Sequence, residues 1–131
     1  MKKPIIGINP YYYEHNGAMW NATKESYYQS VWQAGGTAFT LNYPNNNNLI
    51  IEIAEIIDGL LLVGGPDIPI EIYNGDFPNL LDKDVMLTER EQFDRDIFSA
   101  MYNLNKPILA ICVGMQHINV IRGGGLYEDL N

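Results

Sequence analysis

"PILAICVGMQHINV", residues 107–120, changes character in its middle. Residues 107–111 are an unbroken apolar run with none of the polar alternation of a half-wet strand, so they read as a strand buried on both faces. From residue 113 to 122 the pattern is helical, and Gly123-Gly124-Gly125 stops it. Cys112, the only cysteine in the chain, stands at the junction.

Three further apolar runs read as strands: "PIIGIN" (4–9), "TAFTLNY" (37–43) and "GLLLV" (59–63). Helical stretches separate them. Residues 23–34 place Tyr28, Val31 and Trp32 on one face, with Gly35-Gly36 as the stop. Residues 49–57 form a second helix with Glu52, Glu55 and Asp58 on its wet side. The third opens at "TERE", read as a capping box with Thr88 as N-cap and Glu91 at N3. Its inward stripe is Phe93, Ile97, Met101 and Leu104. Strands that are apolar throughout and alternate with helices predict an α/β domain, a parallel sheet with helices on both faces. "YYYEHNGAMWNA" (11–22) reads as a loop whose three tyrosines pack over an edge of the core. "PNNNN" (44–48) reads as a polar loop without function, and 64–87 as a long Gly- and Pro-rich loop. Ligands of such sheets bind beyond the carboxyl ends of the strands. The loops at 10–22, 64–87 and the turn at 112–113 are therefore expected to share one crevice.

Composition narrows the class. The chain has 131 residues, 47% hydrophobic and 18% charged, which suits one globular domain over residues 1–131. A net charge of −8 disfavours nucleic acid or an anionic membrane as partner. One cysteine forms no internal disulfide and fits a reducing compartment, so a cytoplasmic setting is expected. "MKKPIIGINP" is too short and broken an apolar segment for a signal peptide. "LIIEIAEIIDGLLLV" (49–63) carries three acids and cannot span a bilayer. The two histidines have no ligand spacing, so neither metal nor cofactor is expected. Gly123-Gly124-Gly125 follows a helix rather than opening one and is no phosphate loop.

The turn at Cys112 has the form of a nucleophile elbow. The nucleophile of an elbow sits between strand and helix, with small residues two before and two after it, here Ala110 and Gly114. Unpaired amides at the helix start favour a thiolate. The amide of Val113 would face an oxyanion on an attacked carbonyl. Free cysteines are also common core residues, and position alone does not separate the two readings. Gly64-Gly65, just after a buried strand, allows backbone to approach a ligand closely. One of their amides, Gly65 ahead of Gly64, is the candidate second oxyanion donor.

Together, "DGLLLVGGPDI" followed by Tyr73, "FDRDIF", and "KPILAICVGMQHINVIRGGGLYEDL" resemble the class I glutamine amidotransferase-like superfamily. Within it the chain is most similar to the gamma-glutamyl-gamma-aminobutyrate hydrolases, a branch that "SYYQSVWQAGG" (26–36) also suits. The resemblance runs from Ile5 to Leu130 and is most specific over 107–130. It implies a flavodoxin-like fold and attack by Cys112 on a γ-glutamyl amide carbon. A glutamyl thioester forms, an amine leaves, and water releases glutamate. The resemblance makes Cys112 the nucleophile, Gly65 and Val113 the oxyanion donors, and Gly64 and Gln116 substrate-binding residues. The family usually carries Gly where Ala110 stands and Arg where Val113 stands. Asp67 fits the pattern, whereas Pro69 precedes the usual place of its proline by one residue.

A thiol nucleophile needs a base, and the base an orienting carboxylate. The family draws both from a His-x-Glu well beyond the elbow helix. Here His117 lies five residues after Cys112 on the same helix, an offset that turns it into packing. His15 belongs to the first loop, on the correct side, with nothing to orient it. The expectation is the N-terminal part of the family domain, with the C-terminal part missing and an open sheet edge left uncovered. That edge suggests self-association. Two alternatives stand beside the hydrolase: a non-catalytic truncated product or interaction module, and a glutaminase subunit supplying ammonia to a synthase.

Overall fold

The computed structural model describes residues 2–44 and 46–130. Asn45, in the loop read at 44–48, and Asn131 lie outside the described residues. In chain order the elements are β1 (Ile5–Ile8), β2 (Tyr11–His15), β3 (Ala18–Ala22), α1 (Glu25–Gln33), β4 (Thr37–Thr40), α2 (Asn47–Ile56), β5 (Gly59–Leu62), α3 (Thr88–Asn103), β6 (Ile108–Ala110) and α4 (Val113–Ile121). The four apolar runs form one parallel sheet in the order β4-β1-β5-β6. That is the flavodoxin-like order.

Alternate residues of β5 sort the two faces. Leu60 and Leu62 join Ile50 and Ala54 of α2 and Phe93, Ile97 and Met101 of α3. Leu61 and Val63 point the other way, to Tyr27, Tyr28 and Val31 of α1. Burying side chains such as Phe93 or Ile97 contributes roughly 1.5–3 kcal/mol each. The inward face of α1 is thus Tyr27, Tyr28 and Val31. Trp32, expected among them, is 53% exposed, its ring tilted against that of Tyr28. Leu104, at the end of the α3 stripe, is also largely exposed. The run at 107–111, read as buried on both faces, is covered on one: Ile108 and Ala110 pack on the core, but the α1 face stops short of β6 and leaves Leu109 64% exposed at the sheet's edge.

Two local readings are corrected. Residues 11–22 are not a loop but an antiparallel hairpin, β2 with β3, turning at Asn16 (φ 51°) and Gly17 (φ 77°). Asn-Gly supplies the two left-handed residues that a tight hairpin turn requires. The capping box does not form: α3 begins at Thr88 itself, with Leu87 in the cap position and no side-chain cap. Glu91 has stronger partners. It accepts hydrogen bonds from Arg95 Nε and from His117 Nε2, both at 2.9 Å. An ionised carboxylate only accepts, so Nε2 carries the proton. His117 is buried and ties α4 to α3, the packing role that its offset from Cys112 predicted.

Gly114 fixes how closely α4 approaches the sheet. A Cβ there would stand 2.7 Å from the Leu62 carbonyl oxygen. Gly114→Ala should therefore destabilise the protein by about 1–3 kcal/mol, read as a lower urea midpoint. An unchanged midpoint would show that the two elements have slack between them.

Burial on its own would raise the Glu91 pKa, but the hydrogen bonds from His117 and Arg95 outweigh it and the net effect is a lowered value. A carboxyl lowered by folding adds stability that is complete above its ordinary range and is lost as pH falls through the folded value. The stability gap between wild type and Glu91→Gln should accordingly narrow as pH drops from about 6 to about 3. A gap that stays constant in urea titrations across that range contradicts the assignment.

Candidate active site

Strand β6 ends where Cys112 takes φ 51° and ψ −114°, a conformation rare for any residue with a side chain. Two things hold it there. On one side, the Ile111 amide donates to the Leu62 carbonyl at 2.9 Å, the last rung of the β5–β6 ladder. On the other, the Gly114 amide bonds the Ile111 carbonyl at 2.9 Å and starts α4 at once. The chain must therefore reverse at Cys112, and the thiol is exposed.

A cavity of about 710 Å³ opens over it, lined by Tyr11, Lys24, Tyr27, Gly64, Gly65, Pro66, Asp82, Lys83, Asp84 and Cys112. The three loops expected to share a crevice do share one. Gly64 and Cys112 are neighbours: a Cβ on Gly64 would lie 3.6 Å from the Cys112 Cβ and 3.5 Å from the Tyr27 hydroxyl. The Gly65 and Val113 amides find no acceptor among the described residues. Gln116 does not line this cavity. It opens onto another of about 410 Å³, with Asp67, Tyr73 and the tail at 125–130.

Neither histidine reaches the thiol's cavity. His15 sits exposed at the hairpin end, its Nε2 3.2 Å from the Asn16 side-chain amide. His117 faces Glu91 in the interior. Among the described residues, no group of three or more His, Cys, Asp or Glu side chains could hold a metal ion. No helix among them is long and apolar enough to cross a membrane.

The loop floor is polar and buried. Asn9, directly after β1, accepts from the Val63 amide at 2.7 Å and donates to Asp94 at 2.9 Å. Arg90 Nε donates to Asp94 at 3.3 Å, and its Nη2 donates to the carbonyls of Val63 and Gly64 at 3.3 and 3.2 Å. The guanidinium lies 5.1 Å from the centre of the Tyr11 ring. Burial pushes the Asp94 carboxyl above the ordinary range, against the pull of Arg90 and Asn9. Sequence reasoning missed this cluster. Its signal is Arg90 and Asp94 at i and i+4, charged residues interleaved with the apolar stripe of α3.

Sequence comparison agrees with this geometry. The pattern of the peptidase C26 family, which is class I glutamine amidotransferase-like, matches residues 4–131. Protein NtpR of Enterococcus hirae is 36% identical over 109 residues, covering 82% of this chain and 44% of NtpR. The gamma-glutamyl-gamma-aminobutyrate hydrolase PuuD of Escherichia coli K12 is 29% identical over 134 residues, 99% of this chain and 50% of PuuD. The chain thus spans about half the length of these relatives. With an exposed cysteine at a strand-to-helix elbow and a glycine pair beside it, the chain belongs to the peptidase C26 family.

Proposed function

We propose that this domain carries the nucleophile and oxyanion hole of a cysteine hydrolase of γ-glutamyl amides. One observation supports it most: the exposed Cys112 thiol sits at a strained elbow beside Gly64, between the amides of Gly65 and of Val113 at the head of α4, both without an acceptor among the described residues. In this reading the Cys112 thiolate adds to the γ-carbonyl carbon. The C=O pair moves onto oxygen, held by those two amides. Collapse expels the amine, which takes up a proton, and leaves a thioester. Water then adds, and glutamate and the thiol are released. Gly64, which lines the thiol's cavity, binds the glutamyl part, whereas Gln116 opens onto the other cavity and does not join it. A free thiol suits a reducing, cytoplasmic setting. Neither histidine lines the cavity, so neither is placed to take the thiol proton.

A γ-diazomethyl-ketone analogue of glutamine should test the nucleophile. The diazo carbon takes up a proton from solvent, the Cys112 thiolate bonds that carbon, and N₂ leaves. One adduct is expected, at Cys112, slowed by excess glutamine and absent in Cys112→Ala. Labelling that glutamine does not slow would argue against a γ-glutamyl site. The chain alone should not turn over γ-glutamyl amides.

The uncovered β6 edge at Leu109 favours a second reading, a non-catalytic module that pairs through this edge with another copy of itself. That reading expects a dimer in sedimentation that Leu109→Lys dissociates. A monomer at every concentration removes it.

A further inference from the structure

We propose that Arg90 is a positioning residue that fixes the Gly64–Gly65 peptide so that the Gly65 amide faces the Cys112 cavity. The inference rests on the Cys112 reading and adds a residue that acts through the backbone.

Two consecutive glycines have little conformational preference of their own. Something else must choose which way their shared peptide points. The β5 ladder cannot, since its last residue is Leu62. Beyond it, three backbone groups are held from below. Asn9 takes the Val63 amide, and Arg90 takes the Val63 and Gly64 carbonyls. Asp94 locks Asn9 and Arg90 to each other. The chain has no cis peptide among the described residues, and a trans peptide sends N–H opposite to C=O. With its carbonyl drawn down to Arg90, the Gly64–Gly65 peptide turns its N–H to the other side. That amide has no acceptor among the described residues, and Arg90 does not line the cavity that holds Cys112.

The two glycines therefore serve different neighbours. The bare side of Gly64 meets Cys112 and Tyr27, and the bare side of Gly65 meets the Arg90 guanidinium, where a Cβ would collide with Nη1. Nη1 itself is buried without a partner among the described residues. The guanidinium is thus wedged between Gly65 and the Tyr11 ring, with its hydrogen bonds spent on the loop carbonyls and Asp94. A residue needed only to fasten α3 to the sheet would not require glycine at 65.

The test compares two reagents on one thiol. The γ-diazomethyl ketone presents a carbonyl that the oxyanion amides polarise. Iodoacetamide alkylates by displacement at a saturated carbon and creates no oxyanion. Changes in thiolate fraction affect both rates and cancel in their ratio. Arg90→Lys keeps the charge but has one nitrogen for three acceptors. The double variant Arg90→Met/Asp94→Asn leaves no buried charge unpaired, should the single change fold poorly. In both, the diazoketone-to-iodoacetamide ratio at Cys112 should fall roughly tenfold or more, while the iodoacetamide rate stays near wild type. An unchanged ratio in a variant with normal iodoacetamide reactivity overturns the role of Arg90. A wild-type chain that the diazoketone labels no faster than it labels a free thiol overturns the Cys112 reading itself, and the inference with it.

Discussion

The first turn of α4 lies against the end of β5 with no room between them for a methyl group. Most of the site follows from that closeness. The helix cannot start later, because Gly114 must sit over the Leu62 carbonyl. The strand cannot end earlier, because Ile111 still bonds that same carbonyl. Cys112 is left to make the whole reversal in one residue, with a positive φ that costs on the order of 1–3 kcal/mol. Surrounding packing holds it there: Val113 against Ile68 and Met86, and His117 on Glu91.

Two polar clusters, largely buried, are rooted in the first two turns of α3. Glu91, Arg95 and His117 join α3 to α4 and so set the elbow against the sheet. Arg90, Asp94 and Asn9 join α3 to the ends of β1 and β5. Buried charges are costly unless paired and hydrogen-bonded, and replacing such a pair with apolar residues is often neutral for stability. The value of these groups here lies in geometry. Asn9 and Arg90 bond backbone groups of the loop after β5 directly, and Glu91 holds α4 through the His117 side chain.

The sheet was legible because its strands carry a periodicity nothing else imitates. "GLLLV" is apolar at every position and buried at every position, whereas "PILAI" is equally apolar yet forms the edge strand with Leu109 exposed. The elbow was legible because sharp reversal demands small residues at fixed offsets, and Ala110 and Gly114 occupy them. The hairpin at 11–22 was missed although Asn16-Gly17 marks it, because Tyr11–Tyr13 breaks the polar alternation expected of an exposed strand. The capping box was misread for a different reason. A side chain with the right spacing to cap a helix can find a better partner across the core, as Glu91 does in His117. Long-range pairing of this kind leaves no trace in local spacing, and the same holds for Asn9 and Asp94, 85 residues apart. The glycine pair was recognised as a close approach, but of two neighbours, Cys112 and Arg90, only one was foreseen.

The proposed site depends on direction: the backbone amides of Gly65 and Val113 would both have to face the point where a carbonyl attacked by Cys112 puts its oxygen. A crystal structure of the covalent γ-glutamyl ketone adduct tests this directly. The account predicts the ketone oxygen at about 2.7–3.1 Å from both amide nitrogens. An oxygen turned to solvent, or bonded to the Lys24 or Lys83 side chain instead, would contradict it.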